Sequence, residues 1–325
     1  MDISIIIVSW NVRELLRGCL NAVNSQQSSV NSQQSTVNSR QSDTVHGSLS
    51  TELLVVDNAS RDGTVEMIRA EFPGARVIAN SANLGFTRAN NQALAIAQGR
   101  YLFLLNPDTE LKPGALQTLY EFAEQNPRAG IIGPQLFYGD GSHQSSRRRF
   151  PTLATAFLES TILQEWFPRN RVLTDYYLRD KRDDAIQPVD WINGAAMFVR
   201  RDVYDQIGGL DERFFMYSEE LDWCYRAKRA GWEIVYLPTA QVIHYEGKSS
   251  AQAVAARDIH FNTSKIYFFR KTRGMFVAQI LRAFLLATFV FQIARESVKW
   301  ILGHKRDLRA QRVRAYWQVL KSGLK

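Results

Sequence analysis

The sequence predicts an α/β fold in which a mostly parallel central sheet carries helices on both sides, on three observations. Four short apolar runs between residues 3 and 105 each end in polar residues. Apolar positions at helical spacing separate the runs. The run at Tyr101–Leu105 is apolar at every position, the pattern of a strand buried on both faces.

The elements follow in order. Ile3–Val8 is the first strand and passes into Ser9, Trp10 and Asn11. Leu15, Leu16, Cys19, Leu20 and Val23 mark one face of the first helix. The second strand, beginning near Thr51, ends in Asp57 and Asn58, and Val65, Ile68 and Phe72 give a second helix. Arg76–Ala79 is a third strand, followed by Asn80 and Asn83; Ala89, Ala93, Leu94 and Ala97 form the next helical face. The fourth strand, Tyr101–Leu105, delivers Asn106, Pro107 and Asp108. Open α/β sheets bind ligands outside the carboxyl ends of their strands. Asp57 and Asp108 are therefore expected to converge on one ligand edge.

The 325 residues, 45% hydrophobic, suffice for one large domain and an appendage. Cys19 and Cys224 fall on apolar helical faces and make no disulfide framework, which points to a reducing compartment. The opening MDISIIIVSW is expected to be a first strand and not a signal peptide, since it lacks a basic leader. The net charge of +8 is unevenly placed: residues 265–325 hold 14 Lys+Arg and 2 Asp+Glu, a local balance of +12. Within that tail, Met275–Ala294 is apolar, but its stretch between Arg282 and Arg295 falls short of the roughly 20 residues a spanning helix needs. Basic flanks with Trp300, Tyr316 and Trp317 suit a helix lying in an anionic membrane interface, with no nucleic acid as partner. The alternative is a helix packed on the main domain.

Three copies of one heptapeptide start at Val23, Val30 and Val37. Each has a single apolar position, and Ser and Asn disfavour helix, so about residues 24–48 are expected to be a disordered insert.

A ligand edge of acids and amides, without clustered cysteines, suits a hard divalent cation, Mg²⁺ or Mn²⁺. Such a cation usually serves a phosphorylated substrate. The chain has neither the G-x-G-x-x-G dinucleotide fingerprint after its first strand nor a P-loop, which leaves a nucleoside diphosphate held through metal and side chains.

The order and spacing of several segments resemble family-2 glycosyltransferases of the GT-A fold, in the bacterial rhamnosyltransferase-like branch. They are VSWN at 8–11, VVDNASRDGT at 55–64, NLGFTRANN at 83–91, LLNPDTE at 104–110 and SRRRFPT at 146–152. WINGAAMFVRR at 191–201, GGLDERFFMYSEELDWCYR at 208–226 and VIHYEGKSS at 242–250 complete the set. The resemblance implies an inverting transfer of a sugar, rhamnose by branch, from a dTDP- or UDP-sugar to a glycan or lipid-linked acceptor. It also implies cell-surface polysaccharide assembly, and a peripheral place on the inner face of the plasma membrane. Residues 1–257 would form the GT-A domain and residues 258–325 a basic, amphipathic helical, membrane-associated tail.

Roles carried over from the resemblance are as follows. Ser9, Asn11, Asp57, Asn58, Asn83, Gly85, Arg88, Asn90 and Lys248 would face the donor, with Asp57 on the nucleobase or ribose. Asn106 and Asp108 stand where the family has its Asp-x-Asp metal motif, so Asp108 would ligate the cation and Asn106 would offer a neutral oxygen. His244 would be a third ligand or, alternatively, a strand-end histidine bonded to its surroundings. Trp191, Asn193 and Gly194 would face the acceptor, the indole either stacking on a sugar or belonging to the core. Arg147, Arg148 and Arg149 would either contact phosphate or form a solvated charge run on a mobile loop. Glu219, Glu220 and Asp222 open a helix; Glu220 falls at the family's base position, whereas Asp222 is spaced to pair with Arg226. The substitutions at Asn106 and Glu220 leave a second reading open, a sugar-nucleotide-binding or assembly protein with impaired catalysis. A nucleotidyltransferase would have a Gly-rich, Lys-containing loop where this chain has SWNVRE.

Overall fold

The computed structural model describes residues 1–33, 49–246 and 254–325. The N-terminal half contains β1 (Ile3–Ser9), α1 (Arg13–Gln33), β2 (Thr51–Asp57), α2 (Thr64–Glu71), β3 (Ala75–Ala79) and α3 (Phe86–Leu94). It continues with β4 (Tyr101–Leu105), β5 (Thr109–Leu111), α4 (Ala115–Gln125), β6 (Ala129–Phe137), β7 (His143–Gln144) and β8 (Arg147–Arg148). Next come α5 (Leu153–Leu158), α6 (Ile162–Trp166), α7 (Arg171–Tyr176), β9 (Gln187–Val189), β10 (Trp191–Ile192) and β11 (Ala196–Arg200). The chain closes with α8 (Arg201–Ile207), α9 (Glu219–Arg229), β12 (Glu233–His244), α10 (Val254–Arg273), α11 (Met275–Ile301) and α12 (Arg306–Ser322).

The main sheet has the order β3-β2-β1-β4-β11-β6-β12-β5, with β7 added to β6 and β9 to β12. β3, β2, β1 and β4 are mutually parallel. β11 runs antiparallel between β4 and β6, and β12 is again parallel to β6. The chain steps outward from β1 to β3 and then returns to β4 on the other side of β1. The strand order reverses there, the place where open sheets leave a crevice for ligand.

Burial on both faces explains the apolar runs. All five residues of β4 are buried. Leu102 and Leu104 enter one apolar layer with Ala89 and Leu94 of α3, Trp223 of α9 and Phe269 of α10. Phe103 and Leu105 enter the other, with Leu16 and Leu20 of α1, Ile68 of α2 and Leu119 of α4. Cys19 and Cys224 are buried and free, as the sequence predicts.

Two expectations are revised by the chain's course. The first repeat copy is helical: α1 extends to Gln33, so the insert does not begin at Asn24. Val23 and Gln26 are both buried, and once a helix is anchored each added residue gains a hydrogen bond that offsets weak Ser and Asn propensity. The rest of the repeat, and Lys248, lie outside the described residues.

The tail is also more deeply integrated than a separate appendage. α10 crosses the expected 257/258 boundary without a break, and its Ile266, Phe268 and Phe269 join the main apolar layer. Lys265 Nζ pairs with Glu159 at 2.8 Å, and Ser264 Oγ donates to the Met216 carbonyl at 2.8 Å. α11 has 27 residues and, among the described helices, is the one long and apolar enough to cross a membrane. One face of it, with Ala278, Leu281, Leu285 and Phe289, is buried against the rest of the molecule. Glu296 is buried too, paired with Arg309 of α12 at 2.6 Å.

Candidate functional site

The register brings the predicted donor residues to one edge. Ser9 sits opposite Asp57 and Ile7 opposite Leu105, so the ends of β1, β2 and β4 are flush. Ser9 and Asp57 are buried; Ser9 Oγ and Asp57 Oδ1 have no protein partner, while Asp57 Oδ2 accepts from the Ser60 amide at 2.9 Å. A buried carboxylate oxygen without a partner is costly unless a ligand fills the position.

Several neighbours hold the edge in shape instead. Asn11 adopts a left-handed conformation and its Oδ1 accepts from the Arg61 amide at 2.8 Å. Asn58 Nδ2 donates to Asn83 Oδ1 at 3.0 Å and to the Gly85 carbonyl at 3.1 Å, and its Oδ1 accepts from Asn80 and Leu84. Asn90 donates to the Phe86 carbonyl one turn earlier. Gly85 has φ +85, and a Cβ there would lie 2.7 Å from the Phe215 ring, so glycine is required for both reasons. These residues brace the loop over α3. Arg88 departs from its expected place: it is exposed and pairs with Glu212 at 3.4 Å.

At the end of β4, Asn106 is pinned through its amide to the Ala195 carbonyl at 2.9 Å, and its buried Oδ1 has no partner. Asp108 is anchored by its own carbonyl, which accepts from the Tyr245 amide at 2.9 Å. β12 pairs His244 with Thr109 of β5 and so brings its Nε2 to 3.4 Å from Asp108 Oδ1. The ring's Nδ1 lies 3.0 Å from Gln144 Oε1. With Gln144 accepting from Nδ1, the Nε2 lone pair faces Asp108, the tautomer a metal ligand needs. Among the described residues no cluster of three acid, cysteine or histidine side chains forms a metal site; the third candidate donor is the Asn106 amide oxygen. This donor set fits a hard divalent cation of borderline character.

The helix expected to carry the base is α9. Tyr217 and Ser218 are consecutive left-handed residues, with φ of 69 and 64, directly before α9. Such conformations are held only where surrounding packing over-determines them. Here they turn Glu219 and Glu220 inward, and one oxygen of each carboxyl, Oε2, is buried without a partner. Gly194 crosses Glu220 so closely that a Cβ would stand 3.4 Å from the Glu220 Cβ. Burial pushes the Glu219 carboxyl well above the usual range, and the charge of Glu220 pushes it further. Burial also raises Glu220, but backbone donors and the nearby Arg148 guanidinium hold it down. Both carboxyls are therefore raised, Glu219 further than Glu220.

Asp222 sits in a different environment. It is fully buried, paired to Arg226 at 2.8 Å and to Lys271 of α10 at 2.6 Å, so both oxygens face fixed cations. Trp191 is buried, its Nε1 donating to the Arg149 carbonyl at 2.8 Å while Arg148 lies over the ring at 5.0 Å. Asn193 turns inward, its Oδ1 accepting from the Ala195 amide at 2.8 Å. Of the arginine run only Arg149 is exposed. Arg147 is buried, paired with Asp183 at 2.7 Å and packed over Tyr236, because β8 pairs with β10 and draws it under the sheet's rim. Sequence reasoning did not separate Arg148 from its two neighbours and gave no signal for Gln144, whose role depends on β7 meeting β12's end.

Comparisons with known proteins give the family and the fold. The glycosyl transferase family 2 model matches residues 4–208. The chain is 32% identical over 249 residues to the N-acetylglucosaminyl-diphospho-decaprenol L-rhamnosyltransferase of Mycobacterium tuberculosis, covering 72% of this chain and 80% of that protein. It is 30% identical over 173 residues to rhamnosyltransferase WbbL of Escherichia coli strain K12, covering 50% of this chain and 61% of that one. A crystal structure of GalNAc-T7 with UDP, GalNAc and Mn²⁺ shares the fold, with a TM-score of 0.52 at 14% identity over 75% of this chain and 44% of that chain. The mostly parallel sheet with flanking helices is therefore a GT-A fold, and this chain belongs to glycosyl transferase family 2.

Proposed function

We propose that the chain transfers rhamnose, with inversion, from a nucleoside diphosphate donor to a lipid-linked sugar, with Glu220 as general base. The observation that carries the reading is the free, buried Glu220 oxygen facing the crevice beside Gly194. In a single displacement the acceptor hydroxyl oxygen attacks the anomeric carbon, its proton passes to Glu220 Oε2, and the carbon–oxygen bond to the diphosphate breaks. Arg148 favours the ionised form of Glu220 needed to start that transfer. Asp57 Oδ1 accepts from the nucleobase or ribose. Asp108, His244 and Asn106 would hold Mg²⁺ or Mn²⁺, which when bound neutralises the departing diphosphate.

The choice of rhamnose and of a lipid-diphosphate-linked N-acetylglucosamine acceptor rests on the mycobacterial relative's name. Peripheral attachment to the inner face of the plasma membrane is supported by the tail. α11 and α12 carry exposed Phe276, Phe291, Trp300 and Trp317, and α6 adds Trp166, whose ring meets that of Phe291 at 5.9 Å. The buried residues of α11 run from Ala278 to Glu296, so the helix is attached along its length and lies on the interface.

A panel of nucleotide sugars tests the reading by thermal shift with Mn²⁺ and Mg²⁺, followed by release of the nucleoside diphosphate. Ligand at a hundredfold excess over Kd adds about 2.7 kcal/mol of stability. dTDP-rhamnose should give the largest shift and slow metal-dependent release. Binding without any release, with or without acceptor, would instead support a binding protein with impaired catalysis, the reading that Asn106 motivates.

A further inference from the structure

α5, α9 and α10 surround a cavity of about 520 Å³, its open mouth included. Glu220 and Trp191 line one part of it, and Phe261, Phe268 and Phe269 of α10 line another, with Tyr217 between the base helix and Phe261. Its remaining charges cancel internally, since Lys265 and Glu159 pair at 2.8 Å. Among the described residues of the lining, Glu220 is a carboxyl without an ion pair, set among rings with a few hydroxyls, Thr155 and Ser218 among them. A saccharide alone would bring hydroxyls to surfaces with few partners for them, at a cost for each one left unpaired. An apolar chain, carried beyond the diphosphate that links it to the sugar, would cover those rings instead. The same helices lead outward to apolar surface: Leu153 of α5 is exposed, and Phe157 of α5 packs edge-on against Phe284 of α11.

We infer that this cavity selects the acceptor by its aglycone: the α10 rings hold the first part of an isoprenoid or alkyl chain while Glu220 faces the hydroxyl of the sugar that chain carries. The inference rests on Glu220 being the base, and it assigns to the C-terminal helix a substrate-reading role beside its structural one.

The test uses the full chain, dTDP-rhamnose and three N-acetylglucosaminyl diphosphate esters, methyl, hexyl and farnesyl, below their micelle concentrations. Burial of the longer chain against the rings should raise kcat/KM at least roughly tenfold from methyl to farnesyl. In Phe261→Ala most of that rise should vanish, and in Phe261→Leu part of it should remain. The farnesyl-to-methyl ratio is taken within each variant, so any loss of folded protein cancels. A flat series in the unaltered chain would overturn the inference, as would a full rise in Phe261→Ala, because the chain would then be held elsewhere on the protein. Turnover of the methyl ester with a flat series leaves the glycosyltransfer reading standing. No transfer to any ester, with no donor hydrolysis, sinks that reading and this inference with it.

Discussion

Glu219, Glu220 and Asp222 lie within four residues, yet each has a different environment and so a different expected mutant. Glu220→Gln keeps the shape but cannot take a proton, so kcat should fall by about 10²–10⁴-fold with donor affinity nearly unchanged. Asp222→Asn leaves Lys271 and Arg226 without their buried partner and should cost about 3–5 kcal/mol of stability, read as a lower urea midpoint. Normal turnover in Glu220→Gln together with a folded but dead Asp222→Asn would exchange the two roles. Activity should rise with pH through an acidic limb set by Glu220, above the ordinary glutamate value of 4.5, because the base works only when deprotonated. Arg148 holds that limb down, so Arg148→Gln should move it to higher pH. Glu219 has its folded-state pKa raised above the unfolded one. Its contribution to stability is therefore complete below the unfolded value and is lost as pH rises through the folded value. Glu219→Gln should accordingly gain stability relative to the parent as pH is raised, a trend that denaturant titrations across pH would show. At the metal edge, Asp108→Ala should abolish both transfer and Mn²⁺ binding by calorimetry. Asn106→Asp places a charge at a buried position with no protein partner, so it should lower the melting temperature without metal and enlarge the rise when Mn²⁺ is added.

Among the elements, α10 has the largest consequence beyond its own length. It contributes Ile266, Phe268 and Phe269 to the main apolar layer and fastens to α9 through Lys271. Burying one such side chain is worth about 1.5–3 kcal/mol, so losing three together approaches the whole stability of a domain, about 5–15 kcal/mol. A chain ending at Arg257 should therefore be insoluble or molten and not merely detached from membranes. A cooperative melt in that truncation, with donor binding intact, would show that the GT-A core stands without α10. The short β7 and β8 matter in the same way. Two residues each, they bring Gln144 to His244 and Arg148 to Trp191.

For the molecule as a whole, excess positive charge and exposed apolar surface both fall on the C-terminal helices. The +12 balance of residues 265–325 accompanies exposed Phe276, Phe291 and Trp166, the first of them 78% exposed. Sedimentation with anionic vesicles should carry the full chain down, and binding should weaken as salt rises, since attraction is screened within about 10 Å at 0.1 M. Trp166→Asp, Phe276→Asp and Phe291→Asp together should abolish sedimentation with little change in melting temperature, because all three side chains are already solvent-facing. Unchanged sedimentation in that triple variant would remove the membrane face from this surface.

The sequence by itself determined the strands, their polar carboxyl ends and the family, because these are written locally: apolar runs, helical spacing, and motifs a few residues long. Ser9, Asp57, Asn106 and Asp108 could be placed at strand ends for that reason, whereas Glu220 was singled out through the resemblance to the family's base position. Tertiary structure alone decided which of them are free to act. Asp222 differs from Glu220 by the arrival of Lys271 from 49 positions away, and Arg147 from Arg148 by which face of a two-residue strand meets Asp183. The cavity wall supplied by α10 and the Gln144 bond to His244 are likewise pairings across the fold. No local periodicity encodes such partners; they follow from strand order and helix docking, which bring distant segments of the chain to one crevice.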